Sequence, residues 1–171
     1  MPEIKLQSLH VDSAVEREIR RHGEETYPHE CCGALVGSAG RATATVALPN
    51  MTEEGPRRRF LVRPSDYRLA EQRAAELGGE LLGFYHSHPD HPARPSQYDL
   101  DHAWPTFAYI IVSVVGSARR SAEGAEAGDG LEAGSAGLPR RSGEAAKAGD
   151  MTVWFLKEDR SEFEKGELNG N

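Results

Sequence analysis

Cysteine is nearly absent from this chain of 171 residues, and the two that occur, Cys31 and Cys32, are neighbours. Adjacent cysteines rarely reach the geometry of an unstrained bridge, and no C-x-x-C spacing marks a metal or redox pair. A disulfide framework is therefore excluded, and the composition suits a reducing compartment. Long hydrophobic runs are missing too. No stretch approaches the roughly 18 apolar residues that span a bilayer, and Met1-Pro2-Glu3-Ile4-Lys5 lacks the apolar centre of a secretory signal. The expected location is the cytoplasm. Positive charge is in deficit: 20 Lys and Arg stand against 27 Asp and Glu, a net charge of −7. That balance argues against a nucleic-acid or anionic-membrane surface and for a protein partner or small substrate. No internal repeat occurs.

Hydrophobic content of 38% over this length supports one domain with a core, spanning 1–171. Ile4 to Leu9 alternates like a half-buried strand. Ser13 to Glu16 reads as a capping box opening an amphipathic helix to about Glu25, with Val11, Val15, Ile19 and His22 on one face; Tyr27-Pro28 ends it. Cys31 to Gly37 is an apolar strand, with one cysteine expected in the core and the other toward a cleft. A turn at Ser38-Ala39-Gly40 leads to a strand over Arg41–Leu48, and Arg57–Val62 reads as another. Pro64 opens a second helix that Gly78-Gly79 stops. Phe107 to Val115, the most hydrophobic run, is expected as a central strand beside the one ending at His88.

Between Gly116 and Asp150 there is no aromatic residue, and Leu131 and Leu138 are the only large aliphatics. Such a stretch buries too little to offset its ordering entropy, so 116–150 is expected as a flexible insertion, with a substrate-recognition loop as the alternative. Met151–Leu156 resumes as a strand, Ser161 to Glu164 begins another, and Gly166 to Asn171 is expected to fray. This order of elements describes an α/β fold, a mixed sheet flanked by helices.

The chemistry concentrates in Gly83-Phe84-Tyr85-His86-Ser87-His88-Pro89 and Ser96-Gln97-Tyr98-Asp99. On a strand His86 and His88 share one face, with Cα atoms about 6.5 to 7 Å apart at a rise of roughly 3.3 Å per residue; Ser87 faces the other way. Two imidazoles and the Asp99 carboxylate could hold a zinc ion with one coordination position open, the pattern of a catalytic site, where water ionises near neutral pH. Ser96-x-x-Asp99 also matches a plain capping box.

The string His86-Ser87-His88-Pro89, then Ser96 and Asp99, resembles the motif of the JAMM (MPN+) zinc metallopeptidases. The resemblance implies an MPN/JAB-like fold with a cytidine-deaminase-like core and one Zn2+ per chain held by His86, His88 and Asp99. Ser96 becomes the hydroxyl that bonds the water or oxyanion, and Glu30, just before the Cys31-Cys32-Gly33 strand, the general base and acid. The implied substrate is a ubiquitin-like or sulfur-carrier protein, cut at the peptide or isopeptide bond after its C-terminal diglycine, including release of an amino acid such as cysteine. A scaffold or binding subunit, or a zinc hydrolase of small amides, is the alternative. The pattern assigns no role to Asp90, His91, Asp101 or His102. His91 could line the cleft, and Asp101 and His102 are expected on the outer face of their helix.

Overall fold

The computed structural model describes residues 7–49, 62–116 and 146–170. The elements run β1 (Ser8–Val11), α1 (Ser13–Thr26), β2 (Cys32–Ser38), β3 (Arg41–Leu48), α2 (Pro64–Glu76), β4 (Glu80–Pro89), α3 (Gln97–Asp101), β5 (Ala108–Gly116), β6 (Ala146–Leu156), β7 (Phe163–Lys165) and β8 (Glu167–Gly170). All eight strands join one mixed sheet in the order β7-β6-β5-β4-β2-β3-β1-β8. The hydrophobic run after Phe107 does lie beside the histidine strand: β5 pairs β4 in parallel, with His86 opposite Ile111 and His88 opposite Ser113.

The central strands are apolar on both faces because both faces are covered. Their side chains alternate between two cores. Cys31, Leu35, Tyr85, Ile110 and Val112 pack with Val15 and Ile19 of α1, while Cys32, Ala34, Phe84 and Tyr109 pack with Ala70 of α2. Both cysteines are thus buried, on opposite faces of the sheet, and neither opens onto a cleft. Burial pushes the Cys31 thiol up to about 12, which keeps it protonated and inert. Gly33 is required by a close approach: the Tyr85 ring lies over it, and a Cβ there would come within 2.3 Å of the ring.

Several expectations need correction. The cap of α1 is Asp12, not Ser13, with no side-chain capping bond; Glu16 pairs with Arg20 one turn on instead of reaching back. Val11 closes β1 rather than joining the helix face. Strand structure extends into both ends of the expected insertion, because Gly116 pairs with Ala146 and Val114 with Ala148, and Glu24 accepts the Ala148 N–H at 2.8 Å. Backbone pairing there is joined by Ala146 and Ala148, which pack against the core. The remainder of the expected insertion, 117–145, lies outside the described residues, as do 4–6 of the first expected strand and 57–61 of the Arg57–Val62 strand. The tail is not frayed: β8 pairs in parallel with β1, Leu168 against Leu9.

That last pairing closes the sheet upon itself. Phe163–Lys165 pairs with β6 and Glu167–Gly170 with β1, and only Gly166 separates the two. Its N–H donates to Val153 O at 2.9 Å, and the next N–H, that of Glu167, donates to Gln7 O at 3.0 Å. A Cβ on Gly166 would meet the Phe155 ring at 2.4 Å, so only glycine fits the crossover.

Candidate metal centre

The period of two along β4 that sends Tyr85 and Ser87 toward α1 sends Phe84, His86 and His88 to the α2 face. Cys32 stands opposite His86 across the β2 and β4 pairing, and Glu30, two residues earlier, falls on the same side. Ser87 is fully buried between the histidines; its Oγ accepts the Cys31 N–H at 2.9 Å, and its own N–H donates to Cys31 O at 3.1 Å. The residue after Glu30 is thereby fixed to the residue between the two imidazoles.

After Pro89 the chain turns away at Asp90, whose φ of 57° is left-handed, and returns through α3. Ser96 caps that helix by accepting the Asp99 N–H at 3.1 Å, and Asp99 Oδ2 accepts the Ser96 N–H at 2.8 Å. The capping box read from the sequence is formed, and the same Oδ2 lies 3.4 Å from both His86 Nε2 and His88 Nε2. Capping does not compete with a donor role for Asp99: the oxygen that closes the cap is the one that lies between the two imidazoles.

The two Nε2 atoms are 3.0 Å apart. A tetrahedral zinc with ligands at about 2.0 to 2.2 Å places its donor atoms roughly 3.3 to 3.5 Å from one another. The triangle of 3.0, 3.4 and 3.4 Å is close to one face of that tetrahedron. Tautomer chemistry agrees. The His88 Nδ1–H donates to Pro92 O at 2.9 Å, which leaves Nε2 with its lone pair toward the triangle, as a ligating imidazole requires. Burial lowers the pKa of His86 against the pull of Asp99, keeping that ring neutral. Burial alone would raise the Asp99 pKa, but His86, His88 and the Ser96 N–H together hold it well below the usual carboxylate range. Two imidazoles and a carboxylate oxygen, all buried, are a donor set that fits zinc.

The triangle opens onto a cleft of about 870 Å³ lined by Glu30, His88, His91, Arg94 and Ser96, among others. Glu30 is only 5% exposed, so this carboxylate stands at the cleft wall and not at a solvated strand end. His91 lines the cleft as expected. Asp101 does as well, contrary to its expected outward placement; one turn of α3 is too short to rotate it away, and it accepts a bond from Gln97 at 2.8 Å. His102 stays exposed and stacks on Tyr98.

Some contributions were not legible in the motif. Tyr27 Oη donates to Asp90 Oδ2 at 2.6 Å, and Gly116 N–H donates to Asp90 Oδ1 at 3.0 Å. These bonds tie the segment leading into Glu30 to the loop that follows His88. A tyrosine three residues before the glutamate and an aspartate after the H-S-H-P string were the available signals, but nothing in spacing pairs residues 63 apart.

Comparison with known proteins places these residues in context. The family described as prokaryotic homologs of the JAB domain matches residues 12–124. The desampylase of Haloferax volcanii is 36% identical over 89 residues, covering 50% of this chain and 63% of that protein. A Thermus thermophilus protein named "Probable TtuB-protein conjugate cleaving protease" is 31% identical over 108 residues, 63% of this chain and 72% of its own length. A solution structure of a Salinibacter ruber protein superposes with a TM-score of 0.62 at 33% identity, covering 95% of this chain and 92% of that one.

Proposed function

Because the chain belongs to the prokaryotic JAB-domain family, we propose that it is a zinc metallopeptidase that hydrolyses the bond after the C-terminal diglycine of a ubiquitin-like or sulfur-carrier protein. The observation that carries this reading is the buried triangle of His86, His88 and Asp99 at the edge of a cleft that Glu30 also lines. The names of the Haloferax and Thermus relatives support the substrate class, the second being named for TtuB-protein conjugates. A tail of two glycines has no side chains to clash with a cleft walled by prolines.

Zinc bound at the triangle would polarise the scissile carbonyl and lower the pKa of a water molecule held beside it. The protein's own groups do the rest. His88 is held in its ligating tautomer by Pro92, and Asp99 by the cap of α3. Glu30 takes the proton of the attacking water and delivers it to the departing amine, whose bond to carbon breaks only once the nitrogen is protonated. Ser96 Oγ already accepts the Asp99 N–H, so its one hydroxyl proton remains to donate toward the developing oxyanion. Intact donors and an intact base disfavour a purely structural subunit. The two buried free thiols suit a cytoplasmic setting.

The test is a cleavage screen against ubiquitin-like proteins extended past their diglycine, with and without chelator, using the unmodified chain and Glu30→Gln. We expect about one zinc per chain in both proteins and a loss of about 10²- to 10⁴-fold in turnover for the variant. Undiminished hydrolysis by Glu30→Gln, or hydrolysis indifferent to chelator, would refute the mechanism. An uncut panel alongside hydrolysis of a small amide would refute the substrate class.

A further inference from the structure

Between His88 and Ser96 the cleft wall is a loop braced by three successive carbonyls. His91 O accepts Ser113 Oγ–H at 2.7 Å, Pro92 O accepts His88 Nδ1–H at 2.9 Å, and Ala93 O accepts Thr152 Oγ1–H at 2.7 Å. Thr152 Oγ1 in turn accepts the Trp154 indole N–H at 2.8 Å. The loop is therefore fastened to β5, β4 and β6 in consecutive residues. Ala93 is buried, the Arg94 N–H donates to Pro92 O at 2.9 Å, and Pro95 follows. The side chain of Arg94 is not part of this bracing. It is exposed and lines the cleft, and among the described residues its guanidinium meets no carboxylate, whereas Arg20, Arg21, Arg41, Arg63 and Arg73 each do. In a chain with more acidic than basic residues, Arg94 stands on a rigid mount and faces the cleft in which substrate must lie.

A guanidinium in that position selects for a carboxylate, which it can bind through two parallel hydrogen bonds. The diglycine tail carries none. In an isopeptide bond the scissile nitrogen belongs to a lysine side chain, and the groups nearest it are methylenes. In a peptide bond to one terminal amino acid, the α-carboxylate lies two bonds from that nitrogen. We infer that Arg94 binds the α-carboxylate of a single residue attached to the carrier's diglycine, so that the site prefers a carrier bearing one extra amino acid over a lysine conjugate. This rests on the peptidase reading above and narrows its substrate.

The test separates binding from turnover. A synthetic tail peptide ending in diglycine plus one residue is made with a free carboxylate and as the carboxamide. Its affinity is measured for the metal-loaded full chain carrying Glu30→Gln, with Arg94 intact or replaced in Arg94→Gln and Arg94→Lys. With Arg94 intact, the free acid should bind roughly ten- to a hundredfold tighter than the amide; Arg94→Gln should abolish that preference and Arg94→Lys keep part of it. A preference that survives Arg94→Gln belongs to the metal and overturns the inference, as does an equal loss for acid and amide, which marks contact with the carrier or a structural role. Hydrolysis by the chain with Glu30 intact is followed separately. An Arg94-dependent preference with no cleavage of either peptide sinks the peptidase reading and leaves the role of Arg94 standing. Equal binding of both peptides with cleavage of both does the reverse.

Discussion

A one-ångström displacement of a catalytic group can cost about 10²-fold in rate, so under the proposed mechanism the residues that hold Glu30 matter alongside Glu30. Cys31 is fastened by Ser87 on one side, and the segment that enters from α1 is fastened by Tyr27 to Asp90. Tyr27→Phe keeps the ring and removes only the donor. It should lower kcat on a carrier substrate about tenfold while leaving KM and zinc content close to normal, because the ligands are untouched and only the approach of the carboxylate loosens. Steady-state kinetics with metal analysis on the same preparation decides it; a change confined to KM, or loss of zinc, would count against a positioning role. Of these residues the local spacing made His86, His88 and Asp99 legible as a donor set, whereas Glu30 and Ser96 took a role only through the family resemblance. Tyr27 and Asp90 were hidden because their partnership depends on how β2 and β4 align.

Helix α2 shows how far local signals reach at the scale of an element. Pro64 at its start and Gly78 after its end were readable as punctuation, and both serve: Gly78 takes a φ of 76° that a side chain would resist. The cap itself was less obvious, because Arg63 is an unusual residue for it. It works through Asp66, which accepts the Arg63 N–H at 3.1 Å and the guanidinium at 2.9 and 3.1 Å. Those bonds hold the Asp66 pKa below its ordinary 3.8. A depressed carboxylate stabilises the folded state fully above its unfolded value, and loses that contribution as pH falls through its folded value. Asp66→Ala should cost about 1 kcal/mol at pH 7, partly screened because Arg63 is exposed, and lower Tm by roughly 2 to 4 °C. Melting curves taken from pH 7 downward should show the difference from the unmodified chain shrinking below 3.8. A difference independent of pH would mean the charge plays no part. Strand β8 escaped sequence reading for the opposite reason, and the bounds of β1 and β7 shifted from the expected runs: nothing in a few mixed residues declares a strand until a partner supplies the ladder.

Across the whole molecule, stability should grade from the middle of the sheet outward. Strands β4 and β5 are covered on both faces, and β4 carries two of the three donors near its end, whereas β7 is three residues long and β8 is mostly exposed. Hydrogen exchange under native conditions should therefore be slowest in Phe84–His88 and Tyr109–Val114 and fastest in Phe163–Gly170; uniform protection would show that the closing ribbon folds as one unit with the centre. That ribbon reaches both rims of the sheet through a single glycine. Rows of unsatisfied amides at a rim are the template on which other chains stack into fibrils, and here one short segment covers part of both. Any side chain at position 166 would loosen the two covers together, so the molecule's defence against ordered self-association hangs on a seam one residue wide.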